Sequence, residues 1–330
     1  MKAFLLPGLP MRSVCPEVRV TGSGAATCLG GSLEATLAAI AAGRRVQGEP
    51  YPFLSRTPYA ACLAVQGNGP GIADHGIDRR MRKFMSRHAE LAAAAAREAL
   101  VEAAPLERGI MPERIGLYAG VGLAAVDIQA STDLLRKSLG ENGAFCQAAF
   151  SRDGLRAIHP LWSFHTLANM PACIVSVLES IKGDNGIYTP WEDQTAFALI
   201  EAAYALGRGD IDCAVVVASD TASHPASLVE LAAAGHLAPD EVASPGAACL
   251  VLERPDGAVP SRPFSRIKSM RLTLECAPES ARKPDDPLAP LIGRTVAAAP
   301  LLLAILAPHC NLPFGLTGCG GHAFSFEVAP

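Results

Sequence analysis

The sequence predicts an α/β protein built on a sheet that helices cover on both faces. Three observations carry this. Ile211, Cys213, Ala214, Val215, Val216 and Val217 form a continuous apolar run, the pattern of a strand with no solvent face. Gly246 to Glu253 (GAACLVLE) repeats that pattern. Strong helix formers lie around these strands, in HAELAAAAAREALVEA from His88 and again from Phe197 to Leu206. At 330 residues, 50% hydrophobic and 18% charged, the chain is globular and long enough to bury a substantial core in one or two domains. A net charge of −4 gives no general reason to bind nucleic acid.

In chain order, MKAFLLPGLPMRSVCP is too short and Pro-broken to predict a signal peptide. Val18 to Thr21 reads as a strand, followed by a glycine turn and a helix that closes at Gly43. Gly22 and Gly24 stand where a dinucleotide fingerprint would begin. Thr27 takes the place of the third Gly, and no acidic residue ends a second strand about twenty residues on, so nucleotide binding is not predicted. Arg79 to Arg87 (RRMRKFMSR) is the most basic run. Two readings fit it: a solvated loop and first helical turn, or a docking surface for an acidic partner formed by Arg79, Arg80, Arg82, Lys83 and Arg87. Arg114 to Gly122 is the next strand, and Ser131 to Arg156 reads as helical and polar. His159 and His165 read as structural residues.

Gly183 to Asp220 reads as strand, sharp turn, helix and buried strand. Ile187 and Tyr188 are extended, Pro190 ends the run, and Glu192 and Asp193 put negative charge where a helix begins. Gly207 and Gly209 are expected to stop that helix. A Cys at such a helix start would be held partly as thiolate and act as a nucleophile. Ala222 to Pro239 reads as helix and loop. Beyond Glu253 come a linker (Arg254 to Arg262), a strand (Phe264 to Glu275), a Pro- and charge-rich loop (Ala277 to Pro290) and the apolar run LIGRTVAAAPLLLAILA. Its apolar part, Val296 to Leu306, is too short to span a bilayer. The ten Cys are scattered without a CxxC pair, and Cys62, Cys173, Cys213 and Cys249 lie in apolar runs. They read as buried cytosolic thiols, which places the chain in the cytoplasm. No metal and no cofactor are expected.

Several of these stretches together resemble the β-ketoacyl-acyl carrier protein synthases of the thiolase-like superfamily. Thr21, Gly22, Gly24, Leu29, Gly30, Glu34 and Gly43 fit that family's N-terminal signature. Ala168 to Ala172 (ANMPA) is similar to the run that opens its buried helix. Gly183 and Asn185 match its Gly-Pro-Asn, with Asp184 for the Pro. GAACLVLE matches a core strand, and Thr317 to His322 (TGCGGH) resembles the Phe-Gly-Phe-Gly-Gly turn. The resemblance implies a thiolase-like fold: two βαβαβαββ-type halves layered αβαβα, residues 17–253 forming the first half and 262–330 a shortened second.

The departures bear on function. Glu192 stands at the nucleophilic Cys, Arg294 at one catalytic His, and the His-Gly-Thr segment has no counterpart. Decarboxylative condensation needs a thiolate and neutral imidazoles, so no catalytic residue is expected here. Glu192 and Arg294 are expected to face one pocket as an ion pair; the alternative is a helix-capping Glu192 and a solvated Arg294. The resemblance further implies an acyl pocket lined by Thr317, Gly318, Cys319, Gly320 and Gly321, with Thr317 and Cys319 in place of the two Phe. It implies dimerisation through Gly186, Ile187, Tyr188 and Thr189, and an acidic acyl carrier protein as partner. The role implied is a chain-length-factor-type subunit paired with an active ketosynthase in type II fatty acid, polyketide or aryl-polyene-type biosynthesis. Two others stay open: an acyltransferase or thioester hydrolase using Glu192, and a homodimeric acyl-binding scaffold. The shortened second half is expected to leave apolar surface for a partner to cover.

Overall fold

The structure, a computed structural model, describes residues 13–67, 77, 79–123, 126–256, 266–274, 284–320 and 322–329. Its main elements run β1 (Val18–Thr27), α1 (Leu33–Ala41), α2 (Arg87–Ala103), β2 (Ile115–Val121), α3 (Ile128–Lys137), α4 (Met170–Glu179), β3 (Asn185–Tyr188), α5 (Glu192–Arg208), β4 (Cys213–Thr221), α6 (Pro225–Ala233), β5 (Pro245–Glu253), β6 (Arg266–Leu274), α7 (Ala299–Cys310), β7 (Gly315–Thr317) and β8 (His322–Ala329).

The strands lie in the order β7-β8-β6-β1-β5-β4-β2-β3, with Ser13–Val14 added beside β6. β2 is parallel to β4 and β3, while β5 is antiparallel to β4 and β1. Successive side chains of a strand point to opposite faces. Cys213, Val215, Val217, Cys249 and Val251 therefore pack with α2 and α4. Ala214, Val216, Leu250 and Leu252 pack with α5 and α7 on the other face. Every residue of α7 from Ala299 to Ala307 is buried, as befits a helix that is apolar all round and lies inside the molecule.

Only two residue pairs, Arg266–Arg19 and Ile267–Val18, join β6 to β1. From there β6, β8 and β7 pass over the far side of the central helices. Ile267, Met270, Leu272, Leu316, Phe324 and Phe326 share one core with α5 and α7. The layers are helix, sheet, helix and the far end of the same sheet, made of β6, β8 and β7 with Ser13–Val14 beside β6. Lys268, Arg271, Ser325 and Glu327 on the outer face of that end are exposed. Among the described residues, these strands alternate as a half-solvated antiparallel sheet does, with polar side chains on the outer face. Among the described residues, no helix is long and apolar enough to cross a membrane.

Local differences from the sequence expectation have physical causes. β1 continues to Thr27 instead of turning at Gly22. A Cβ on Gly22 would overlap the Ala99 carbonyl, and one on Gly24 the Ala95 carbonyl. These glycines admit the backbone of α2, not a phosphate. Close approach also lets Glu98 accept hydrogen bonds from the Ala25 and Leu33 N–H groups (3.0 Å) and Glu102 from Ser23 N–H (2.8 Å). Gly207 lies within α5; the helix ends at Gly209, in the left-handed region at φ +76°. The stretch 131–156 is helical to Lys137 and again from Gln147, where short α, π and 3₁₀ segments follow one another to Ala157; the residues between them interrupt the helix. Cys213 and Cys249 are buried, but Cys62 is half-buried and Cys173 is exposed on α4. The described cysteines are all free thiols.

His88, in the first turn of α2, is buried. Its Nε2 lies 2.7 Å from the Thr221 hydroxyl and 3.0 Å from the Leu123 carbonyl. Burial pushes its pKa down to about 4. The unfolded chain protonates this ring near 6.5, so the stability it contributes is complete above that pH and drains away as pH falls toward 4. Asp286, raised to about 6 by burial, has the opposite slope between its ordinary value and 6. A comparison isolates His88. The stability advantage of the wild type over His88→Gln is expected to shrink by roughly 3 kcal/mol between pH 7 and pH 4 in urea titrations. An advantage that does not change with pH would contradict this.

Candidate functional site

α5 starts without a side-chain cap: Trp191 is extended at the N-cap position and gives no capping bond. The first-turn carboxylates do other work. Glu192 Oε1 accepts a hydrogen bond from Arg294 Nη2 at 2.6 Å, and Oε2 accepts from Cys319 N–H at 2.9 Å. The Cys319 thiol lies 3.6 Å from Oε1 and 3.5 Å from Arg294 Nη2. The Glu192 and Arg294 side chains are 0% and 1% exposed, which rules out the solvated Arg294 and the merely capping Glu192.

Backbone geometry holds Arg294 in place. Arg294 N–H donates to the Val242 carbonyl (2.8 Å), and its own carbonyl accepts from Ser244 N–H (3.0 Å). Gly293 precedes it at φ +81°, where a Cβ would press on Ser244 Cβ at 2.6 Å, so only glycine fits. Asp286 approaches the other side of the guanidinium, its Oδ2 4.0 Å from Nη1. Burial alone would lower the Arg294 pKa; the Glu192 and Asp286 carboxylates outweigh it and hold the pKa above its ordinary value. Burial and the Glu192 carboxylate push the Cys319 thiol well up, so it is protonated at neutral pH.

A second pair lies beside the first. Asp193 Oδ2 is 2.7 Å from His322 Nδ1, with Asp193 buried and the His322 ring edge-on to Phe197. Further back, Thr195 Oγ donates to the Ala297 carbonyl (2.6 Å), and the buried Asp220 accepts from Ala297 N–H (3.0 Å). Asp193, Asp220, Asp286 and His322 were not singled out from the sequence as site residues. The one signal available was adjacency, Asp193 to Glu192 and His322 to the glycine turn.

The turn residues sit directly on the start of α5. A Cβ on Gly318 would lie 3.0 Å from Glu192 Cβ, and one on Gly320 would overlap the Asp193 carboxylate. Thr317 exchanges 2.9 Å backbone hydrogen bonds with Asp285. Gly321 lies outside the described residues. Cavities of about 520, 290 and 440 Å³ lie elsewhere, lined by Arg44 and Val46, by Ile181 and Ile187, and by Arg136 and Arg156 among others. In the basic run, Arg87 pairs with Glu90 (3.1 Å), Arg82 Nε donates to the Ile77 carbonyl (3.4 Å), and Lys83 lies 5.0 Å over the Phe84 ring. Arg80 is exposed, and Arg79 opens the short helix Arg79–Arg82. Gly186, Ile187 and Tyr188 lie in β3, which pairs in the sheet with β2 alone among the described residues, and Thr189 follows it.

Residues 16–261 match the family described as β-ketoacyl synthase, N-terminal domain. The chain belongs to the β-ketoacyl synthase family. A 3-oxoacyl-[acyl-carrier-protein] synthase 2 of Staphylococcus aureus (strain N315) is 26% identical over 220 residues, 66% of this chain and 48% of the relative. The chain thus spans about half the length of the curated relatives it matches. Among solved structures, a type II polyketide synthase acyl-carrier protein in complex with its ketosynthase superposes with a TM-score of 0.69 at 16% identity, over 96% of this chain and 100% of that one. The ishigamide ketosynthase/chain length factor superposes with a TM-score of 0.56 at 18% identity, over 91% and 75%. These likenesses establish the thiolase-like fold of this β-ketoacyl synthase family member.

Proposed function

We propose that this chain is a non-condensing, chain-length-factor-type subunit that pairs with an active ketosynthase and works with an acyl carrier protein. The observation that carries this reading is the buried Glu192–Arg294 pair at the start of α5. The family's acyl-carrying sulfur would need that position. Here it holds a carboxylate whose two oxygens are taken by Arg294 and the Cys319 N–H. Cys319 is a thiol beside it, but buried, protonated and sharing those same partners, so it offers no ready nucleophile. Use of Glu192 as a general base for acyl transfer or hydrolysis would require breaking both of its bonds. Co-expression with a Cys-containing ketosynthase tests the reading: a stable heterodimer that condenses malonyl units is expected, with no condensation by this chain alone. Condensation by the isolated chain would overturn it.

The same reading assigns the partner to β3. Among the described residues its outer edge has no strand neighbour, Ile187 is 38% exposed there, and Val177 of α4 is 65% exposed. An open edge of this kind offers N–H and C=O groups to a second sheet. Ile187→Asp is expected to shift the complex to monomers in analytical ultracentrifugation without lowering the melting temperature of the separated chain. An unchanged sedimentation profile would place the partner elsewhere.

A further inference from the structure

The cavity of about 520 Å³ has no part in the site above. It is lined by the residues that follow β1, by the segment that follows α1 and by Val65. The lining is tied to the two stretches of chain that hold Arg294. Val46 N–H donates to the Leu291 carbonyl (2.9 Å), Val65 N–H to the Ala243 carbonyl (2.9 Å), and the Cys28 thiol to the Ile292 carbonyl (3.3 Å). The polar side of the lining is cationic. Arg44, Arg45 and Gln47 are exposed, and no carboxylate lines the cavity among the described residues. Arg45 turns its Nη1 back to the Ile40 and Arg44 carbonyls (3.4 and 2.8 Å). A helix dipole favours a cation at the C-terminus, which accounts for Arg45. It does not account for Arg44, whose side chain has no ion pair or hydrogen bond among the described residues. Leu29, Val46 and Val65 supply the apolar side, with no aromatic ring to stack on a base. Cys28 does not oppose an anion, because burial pushes its thiol pKa up and leaves it neutral at pH 7.

We propose that this cavity binds a small oxyanion, a phosphate or carboxylate bearing a short apolar chain. Arg44, Arg45 and Gln47 take the charged group, and Leu29, Val46 and Val65 take the chain. The guanidinium fork matches the oxygens of both groups. A cavity of roughly 300–1,000 Å³, apolar with a few polar side chains, suits a small ligand. Two adjacent cations without a carboxylate partner, on a concave wall of a chain of net charge −4, concentrate anions there. Through Leu291 and Ile292 a bound oxyanion steadies the backbone that presents Arg294 to Glu192.

The test is isothermal titration calorimetry on the purified chain with inorganic phosphate, hexyl phosphate and hexanoate. Hexyl phosphate or hexanoate is expected to bind one-to-one, about tenfold or more tighter than inorganic phosphate, and less tightly as salt is raised. The tighter of the two names the charged group. Arg44→Gln is expected to weaken that binding about tenfold while the melting temperature of the free chain stays unchanged, since its side chain holds nothing else. Arg80→Gln, in the basic run, is expected to bind like the wild type. The proposal fails if none of the probes binds, or if Arg44→Gln/Arg45→Gln binds them like the wild type. Equal weakening by Arg44→Gln and Arg80→Gln would show diffuse charge attraction and would overturn it as well.

Discussion

Arg294→Met is expected to lower the unfolding free energy by about 3–5 kcal/mol, because it leaves Glu192 ionised in the core without its counter-charge. The pair is fully removed from water, so its worth is set by what remains when one member goes. Asp286 adds to the effect, since Arg294 is the cation opposing its burial. The double variant Glu192→Gln/Arg294→Met is expected to regain about 2 kcal/mol or more over Arg294→Met alone. Gln keeps an acceptor for the Cys319 N–H and carries no charge to strand. Urea midpoints for the wild type, both single variants and the double variant give the coupling energy directly. A loss below about 1 kcal/mol for Arg294→Met would mean the pair does not hold the site closed. A double variant less stable than Arg294→Met would show that hydrogen bonding, not charge, carries the effect.

This expectation grew from two positions legible in the sequence. Glu192 and Arg294 stood out because they occupy places where the family needs other chemistry, and a carboxylate and a guanidinium invite one another. The strands β4 and β5 were equally legible, since a sheet covered on both faces leaves an uninterrupted apolar run. What could not be read were contacts created by chain reversal. The resemblance put Cys319 at the pocket, but nothing local marks its bond to Glu192, 127 residues away. Asp193 looked like a first-turn acid serving the helix dipole, until β8 delivered His322 to it. α3 was hard to place because it buries no residue fully, so its apolar residues show no strong core-facing pattern. The glycines of β1 misled in the other direction. A turn and a close helix approach both call for glycine, and only the position of α2 decides between them.

That decision can be tested through the second large effect. Gly24→Ala is expected to cost more than about 4 kcal/mol, with loss of soluble protein as the extreme outcome. The added methyl would overlap the Ala95 carbonyl and come within 2.9 Å of Glu98 Cβ and 3.0 Å of the Ala99 nitrogen. Two of these three atoms are helix backbone, which no rotamer change can move aside. α2 would have to lift off β1, and Glu98 would lose its hold on the Ala25 and Leu33 N–H groups. Gly143→Ala separates this from the general cost of losing a glycine. Gly143 sits at φ +73° with nothing near its missing Cβ, so the penalty is left-handed strain of about 1–2 kcal/mol and no steric displacement. Denaturation midpoints should therefore rank wild type, Gly143→Ala and Gly24→Ala in that order, the last by a wide margin. If Gly24→Ala melts with or above Gly143→Ala, helix and strand have slack between them, and the glycines of β1 must answer to something other than the approach of α2.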